Sequence, residues 1–280
     1  MNFSPSSSSS FSFSSSVNVL SISRTTTTTR RIRASILTAV ALFFSVPSEA
    51  QTTNESSEAE IQGHQLAQQL CDSQPATNFV RDGLLIVRDG SGKRSQIHLS
   101  LNIASTSTGW ETTYKIESDA KPSTNGLLII HHESGRPNKY DLYSHGELKS
   151  PITTLSGGQT MIPFAGSDFW IADLGLEFFH WPKQKILKHE MRRGRSCKVL
   201  ESTNPNPSPG GYLRVVSWID NETLGIVQAE AYDANGKLLK EFYPKTFKKV
   251  NGQWELQEME IRNDQTGSRT RLEFDLKRPD

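Results

Sequence analysis

The chain has 280 residues, with 31 Lys+Arg against 30 Asp+Glu, two cysteines and 35% apolar residues. That balance excludes the clear basic excess that marks a nucleic-acid-binding domain, and the length allows one large domain or two small ones. The low apolar share has two possible sources: a segment outside any core, or a sheet that is not buried on both faces.

The N-terminus supplies the first. Residues 1–30 hold 12 Ser and 5 Thr, including the runs Ser6–Ser10 and Thr25–Thr29, and bury too little apolar surface to offset the entropy of ordering them. Arg30-Arg31-Ile32-Arg33 then precedes an apolar run from Ala34 to Val46 and Pro47-Ser48-Glu49-Ala50. A basic region, an apolar run and a small-x-small site read as a secretory signal cleaved after Ala50. The run is shorter than the about 20 residues a spanning helix needs. Its distance from Met1 points to a translation start nearer Val17, Val19 or Leu20. No cysteine adjoins the site, so no lipid anchor is expected there. Without residues 1–50, which carry Arg24, Arg30, Arg31, Arg33 and Glu49, the net charge is −2. The expected layout is therefore a leader plus signal over 1–50, a polar leader over 51–56, and a single domain over 57–280.

Within that domain the first element is an amphipathic helix over Ser57–Leu70, with Ala59, Ile61, Leu66, Ala67 and Leu70 on one side, Ser57 as N-cap and Pro75 as its limit. From Phe79 the period becomes two. Strands are predicted at Leu84–Val87, Ser95–Ile103, Trp110–Ser118, Leu127–His131 and Lys139–Ser144. Ser150–Lys188 breaks the rhythm with Gly157-Gly158, Pro163 and Gly166, then Phe169, Trp170, Phe178, Phe179 and Trp181; it reads as loops and short helices. Six more strands follow: Ser196–Glu201, Tyr212–Ile219, Gly225–Tyr232, Leu238–Tyr243, Trp254–Asn263 and Arg269–Leu276. Their connections include Asn235-Gly236 and Asn251-Gly252, dipeptides that supply the positive φ of tight hairpins.

About eleven strands in sequential hairpins make an antiparallel meander. In the last strand Thr270, Leu272, Phe274 and Leu276 alternate with Arg269, Arg271, Glu273 and Asp275, so one face is apolar and one is wet. No second set of strands remains to cover the apolar face. A strongly curved sheet, folded partly on itself and covered by the short helices, uses every element and can hold a ligand inside.

Catalytic constellations are sparse. His131-His132-Glu133 invites a metal reading, but adjacent strand residues point to opposite faces, so solvent-facing strand-end residues are expected. His180 and His189 lack neighbours at ligand spacing, Gly-x-Ser-x-Gly is absent, and Gly157-Gly158 has no Gly-Lys-Ser/Thr after it. Asp168 and Asp173 read as helix caps rather than an acid–base pair. Cys71 and Cys197 either pair, which would stabilise an exported chain by about 4–5 kcal/mol, or are buried singly. The aromatic group Phe169–Trp181 is either core or a cover over the cavity.

Several short stretches, in order and spacing, resemble the outer-membrane lipoprotein-sorting proteins related to the periplasmic carrier LolA and its partner LolB. They are Gly166-Ser167-Asp168-Phe169 with Asp173-Leu174, then Gly194–Leu200, Trp218-Ile219-Asp220, Tyr232–Leu238, Gly252-Gln253-Trp254 and Thr266–Thr270. The resemblance implies an unclosed antiparallel β-barrel with a helical lid, an apolar cavity for acyl chains, no cofactor and no bond chemistry. It implies a soluble periplasmic carrier whose partners are lipoprotein or lipid acyl chains and membrane sorting proteins. Trp110, Trp170, Phe178, Phe179, Trp218 and Phe274 are the candidate cavity or lid residues. A non-catalytic envelope assembly protein on the same fold is the alternative, and a hydrolase a distant third.

Overall fold

The computed structural model describes residues 49–75, 77–117, 126–144, 153–250 and 253–275. The Ser/Thr-rich leader and the basic and apolar parts of the predicted signal lie outside the described residues. The chain there forms a 13-stranded sheet in the order β6-β5-β4-β3-β2-β1-β13-β12-β11-β10-β9-β8-β7. The strands are β1 (Phe79–Arg88), β2 (Arg94–Ser105), β3 (Gly109–Glu117), β4 (Gly126–Glu133), β5 (Lys139–Ser144), β6 (Thr153–Leu155), β7 (Lys183–Arg192), β8 (Arg195–Thr203), β9 (Arg214–Asp220), β10 (Ile226–Tyr232), β11 (Leu238–Val250), β12 (Gln253–Asn263) and β13 (Arg269–Phe274). Two meanders, β1–β6 and β7–β13, are stitched where β1 pairs antiparallel with β13, from Gly83 opposite Phe274 to Arg88 opposite Arg269. β6 and β7 do not pair, so the barrel is open, as expected.

Two strands exceed the predicted eleven. β6 is a three-residue edge, too short to show a period. β7 was expected to be irregular, and the cause is local: the register shifts between Ile186 and Lys188, so Leu187 is an extra residue that reverses the alternation. β7 is also solvated on both faces beyond the bulge, and Met191 is 65% exposed.

Helix α1 (Glu49–Cys71) starts earlier than predicted, taking in the polar segment 51–56, so Ser57 lies inside it rather than capping it. It packs on β7 through Gly63, where a Cβ would lie 2.5 Å from the Lys185 backbone nitrogen. At its other end the Asp72 carboxylate accepts from the Ser134 hydroxyl at 2.8 Å, on the β4–β5 turn. The helix therefore touches both limbs of the open sheet. Leu66, Ala67 and Leu70 are its buried stripe.

Alternation divides each strand between the two faces. The concave face carries Ile97, Leu99, Leu101 and Ile103 of β2, Leu128 and Ile130 of β4, and Met259 and Ile261 of β12. A second concave cluster joins α1 to Ile186, Leu200, Val215, Ile219 and Ile226. A small third cluster, Cys197, Val199, Val216, Trp218 and Val227, lies on the convex side of β8–β10. The crossover from β6 to β7 passes over the concave face. It contains a 3-10 turn (Gly157–Thr160), the one-turn helix α2 (Ile171–Leu174) and a second 3-10 turn (Glu177–His180).

Candidate functional site

A cavity of about 100 Å³ lies where the two concave clusters meet under the crossover. Trp110, Thr112 and Tyr114 of β3 form one wall, Val215, Ile226 and Ala229 the opposite one, and Phe242, Met259 and Ile261 the floor. Phe169, Leu174, Phe178 and Phe179 of the crossover close it, with Leu70 and Cys71 of α1 at the side. The volume holds several waters, so a long acyl chain is not wholly enclosed by the cavity as it stands.

Alternation makes this site. Trp110, Thr112, Tyr114 and Ile116 share the concave face of β3, while Glu111 and Lys115 face outward. Aromatic geometry then rigidifies it: Phe178 meets Phe179 edge-on at 4.6 Å, and Tyr114 meets Phe164 edge-on at 5.7 Å.

Two polar clusters interrupt the apolar lining. In the first, Lys240 is 1% exposed. Its ammonium donates to the Asp168 carbonyl at 2.7 Å, lies 3.5 Å from the Asp173 carboxylate and sits 3.5 Å above the Trp170 ring. Burial draws its pKa down to about 8, against the opposing pull of Asp173 and Asp168. The Tyr212 hydroxyl donates to Asp173 at 3.0 Å, and Tyr212 stacks on Trp170 at 4.5 Å. The Asp168 carboxylate accepts from Thr270 at 2.8 Å and also from Ser268. These bonds fasten the Asp168–Asp173 half of the crossover to β11 and β13.

In the second cluster the Tyr140 hydroxyl donates to the Glu177 carboxylate at 2.8 Å, and Asn138 donates to the Gly175 carbonyl at 2.7 Å. Gly175 is obligatory, because a Cβ would lie 2.2 Å from the Tyr140 oxygen. Glu177 is 3% exposed, and burial raises its pKa to about 7. His132 bridges Asn138 at 2.9 Å and Thr112 at 3.2 Å and stacks on Trp110 at 4.7 Å. Burial lowers its pKa to about 4, so the imidazole is neutral at physiological pH. Burial likewise lifts the Cys71 thiol to about 12, which leaves it protonated and unreactive.

The candidate residues fall in three places. Trp110, Phe178 and Phe179 line the cavity; Trp170 lies beside it over Lys240; Phe274 is buried in the first concave cluster, away from the lining. Trp218 is on the convex face, where its indole N–H donates to Glu190 at 2.5 Å and Arg192 stacks on the ring at 4.5 Å. Strand parity separates it: Val215 and Ile219 point inward, so Val216 and Trp218 point outward.

Both cysteines are free, and the sheet lies between them, Cys71 beside the cavity and Cys197 in the convex cluster. Ala50, the expected cleavage residue, lies in the first turn of α1. His131 and His132 do take opposite faces, but neither is a solvent-facing strand end. Both are half-buried, and His131 is held between Glu111 at 2.8 Å and Asp141 at 2.9 Å. Asp173 caps α2 through the Trp170 N–H at 2.7 Å, whereas Asp168 binds β13 instead of a helix end. Among the described residues no group of three or more His, Cys, Asp or Glu is placed to hold a metal ion.

Lys240, Glu177, Tyr140, Asn138 and Tyr212 were not among the sequence candidates. Lys240 left a trace: it shares a strand face with Phe242, a charge at an apolar position of the period-two pattern. Glu177 left none, since its burial depends on where the crossover lands.

This open, curved sheet with a strapped concave cavity is a LolA-like fold. A domain described as that of an outer-membrane lipoprotein-sorting protein from Vibrio parahaemolyticus superposes with a TM-score of 0.63 at 21% identity, covering 77% of this chain and 91% of that one. A DUF1329 family protein from Desulfovibrio piger gives 0.61 at 19%, covering 79% and 93%. A LolA superfamily protein from Nitrosomonas europaea gives 0.53 at 16%, covering 79% and 94%. No curated protein sequence matches significantly. Residues 110–278 match the model of a family described as "-like: Uncharacterized protein", and the chain belongs to that family.

Proposed function

We propose that this protein is an exported carrier that shields acyl chains of lipoproteins or lipids in its concave cavity during transfer toward the outer membrane. The observation that carries this reading is the apolar cavity between two halves of the core, closed by a separate crossover rather than filled by side chains of the sheet. Each methylene kept from water is worth about 0.8 kcal/mol, so even partial enclosure of a chain gives useful affinity. The hydrogen bonds of His132, Asn138 and Tyr212 are made within the protein, which suits a site that grips a chain through its apolar surface.

In this reading the cargo contacts are Trp110, Phe178 and Phe179, which line the cavity, with Trp170 beside it over Lys240. The basic-then-apolar segment before Ala50 supports export, and no helix among the described residues is long and apolar enough to cross a membrane. A carrier of this kind needs no cofactor, and its partners are the cargo and the membrane sites that load and receive it. Lipid extraction and mass spectrometry of the protein purified from its native envelope test the proposal. A stoichiometric acyl species is the expected result. Its absence, together with no saturable uptake of a fluorescent fatty acid, would favour an assembly protein without cargo.

A further inference from the structure

The crossover is held down by two unlike attachments, and they meet at a strained joint. The Asp168–Asp173 half is bound through Lys240 of β11, Ser268 and Thr270 at the start of β13, and Tyr212 just before β9. The Gly175–His180 half, which brings Phe178 and Phe179 over the cavity, is hydrogen-bonded to the other limb through the second cluster: Tyr140 to Glu177 and Asn138 to Gly175. Between the halves Leu176 has φ = +51°, a left-handed conformation that costs a branched side chain conformational energy. Gln184 ties the second half to β7 through the Phe178, Phe179 and Trp181 carbonyls. Tyr140 and Asn138 thus tie this half to the β5 side while Gln184 ties it to β7, and Phe178 and Phe179 pack on α1.

We propose that the Glu177 carboxyl, buried between the crossover and Tyr140, is a proton-controlled latch that keeps the Gly175–His180 half of the crossover closed over the cavity. This inference rests on the carrier reading for its purpose, though not for its mechanics. The surroundings make Glu177 the sensor. Tyr140 and Asn138 face it from the β5 side, the Gly157 N–H from the 3-10 turn, and Cys71 from α1. His132 stands beyond Asn138, Asp72 beyond Cys71, and His180 on its own turn. Burial favours the neutral forms of His132, His180, Cys71 and Tyr140. Among the described residues no cation contributes to the balance at Glu177, so an ionised carboxylate there has two neutral donors alone.

The sign follows from the two states. Closed, Glu177 titrates near 7; swung into water it returns to its ordinary 4.5. The closed state holds the extra proton between these values, so opening becomes easier as pH rises from about 4.5 to 7 and levels off above.

Hydrogen exchange of the full chain, read by mass spectrometry over residues 175–181 and corrected for intrinsic exchange, tests this. Protection is expected to fall by about tenfold or more between about pH 5 and pH 7 and then stay level, while residues 167–173 stay constant. Glu177→Gln should abolish the dependence, and Tyr140→Phe, which takes a donor from the carboxylate, should keep the fall in protection and move it to higher pH. A flat native profile, or a Glu177→Gln profile that keeps the slope, overturns the latch. Release of bound N-phenyl-1-naphthylamine, which is uncharged over this range, should accelerate in step with exchange. PH-dependent exchange in a protein that never binds the probe would support the latch and refute the carrier reading. Probe binding with flat exchange would refute the latch alone.

Discussion

The concave and convex faces of the sheet are built from the same strands but held by different interactions. On the concave face side chains exclude water, and the buried charge there meets specific partners, as Lys240 meets Asp168 and Trp170, while the Ser217 hydroxyl is left without one. The convex face is stabilised by a lattice of charges over aromatic rings. Arg192 lies over Trp218, Arg214 over Tyr232 and Arg262 over Tyr243, while Arg195 pairs with Asp220. Glu260 is the convex counterpart of Glu177. Burial pushes its pKa up, but Tyr243, Arg262 and Lys245 outweigh that and hold it down. Two buried acids thus have opposite preferences, because Glu260 faces cations and Glu177 has neutral donors alone.

Several substitutions separate the faces. The largest effect is expected for Lys240→Met, which leaves Asp173 without its cation and the Asp168 carbonyl without its donor. Unpairing such a buried charge costs about 3–5 kcal/mol, measured by urea unfolding. The convex comparison, Arg262→Met, should cost about 1 kcal/mol or less, since Arg262 is 43% exposed and Glu260 keeps other partners. Leu128→Ala, at a fully buried concave position, should cost about 2–5 kcal/mol in the same assay.

The pH response comes next. Glu177 withdraws stability as pH rises from its ordinary 4.5 to about 7, on the order of 3 kcal/mol in total. Glu260 contributes stability above its ordinary value that is lost as pH falls through its lower folded one. Unfolding curves of Glu177→Gln should therefore lose the decline between about pH 4.5 and 7 while retaining the acid-side loss.

The smallest contrast is between neighbours. His132→Ala, which strands Asn138 and Thr112 in the interior, should cost about 1–3 kcal/mol. His131→Ala, on the outer face, should cost about 1 kcal/mol or less in thermal melts.

Much of the fold was legible because it follows from local periodicity. The alternation in Arg269–Phe274 assigned Thr270, Leu272 and Phe274 to one face, and all three are buried there. The Asn235-Gly236 hairpin forms with Gly236 at φ = +74° and the Asp233 carboxylate accepting from two backbone N–H groups. What failed was parity across irregularities: the Leu187 bulge concealed β7, and Trp218 was assigned to the cavity on residue type, against its strand's alternation. The cavity itself was illegible in detail. It forms where residues 157–181 cross two clusters from opposite ends of the chain, a long-range event that no window of sequence contains. The family resemblance supplied its existence, not the residues that latch it.

The central claim is that cargo sits against the concave face, and tryptophan quenching by a brominated acyl chain tests it most directly. Trp110 lines the cavity and Trp218 stands on the opposite side of the sheet, so variants that keep only one of the five tryptophans give each face its own reporter. Saturable quenching of Trp110 with no change at Trp218 is the predicted result. Equal quenching of both, or of neither, would contradict the account.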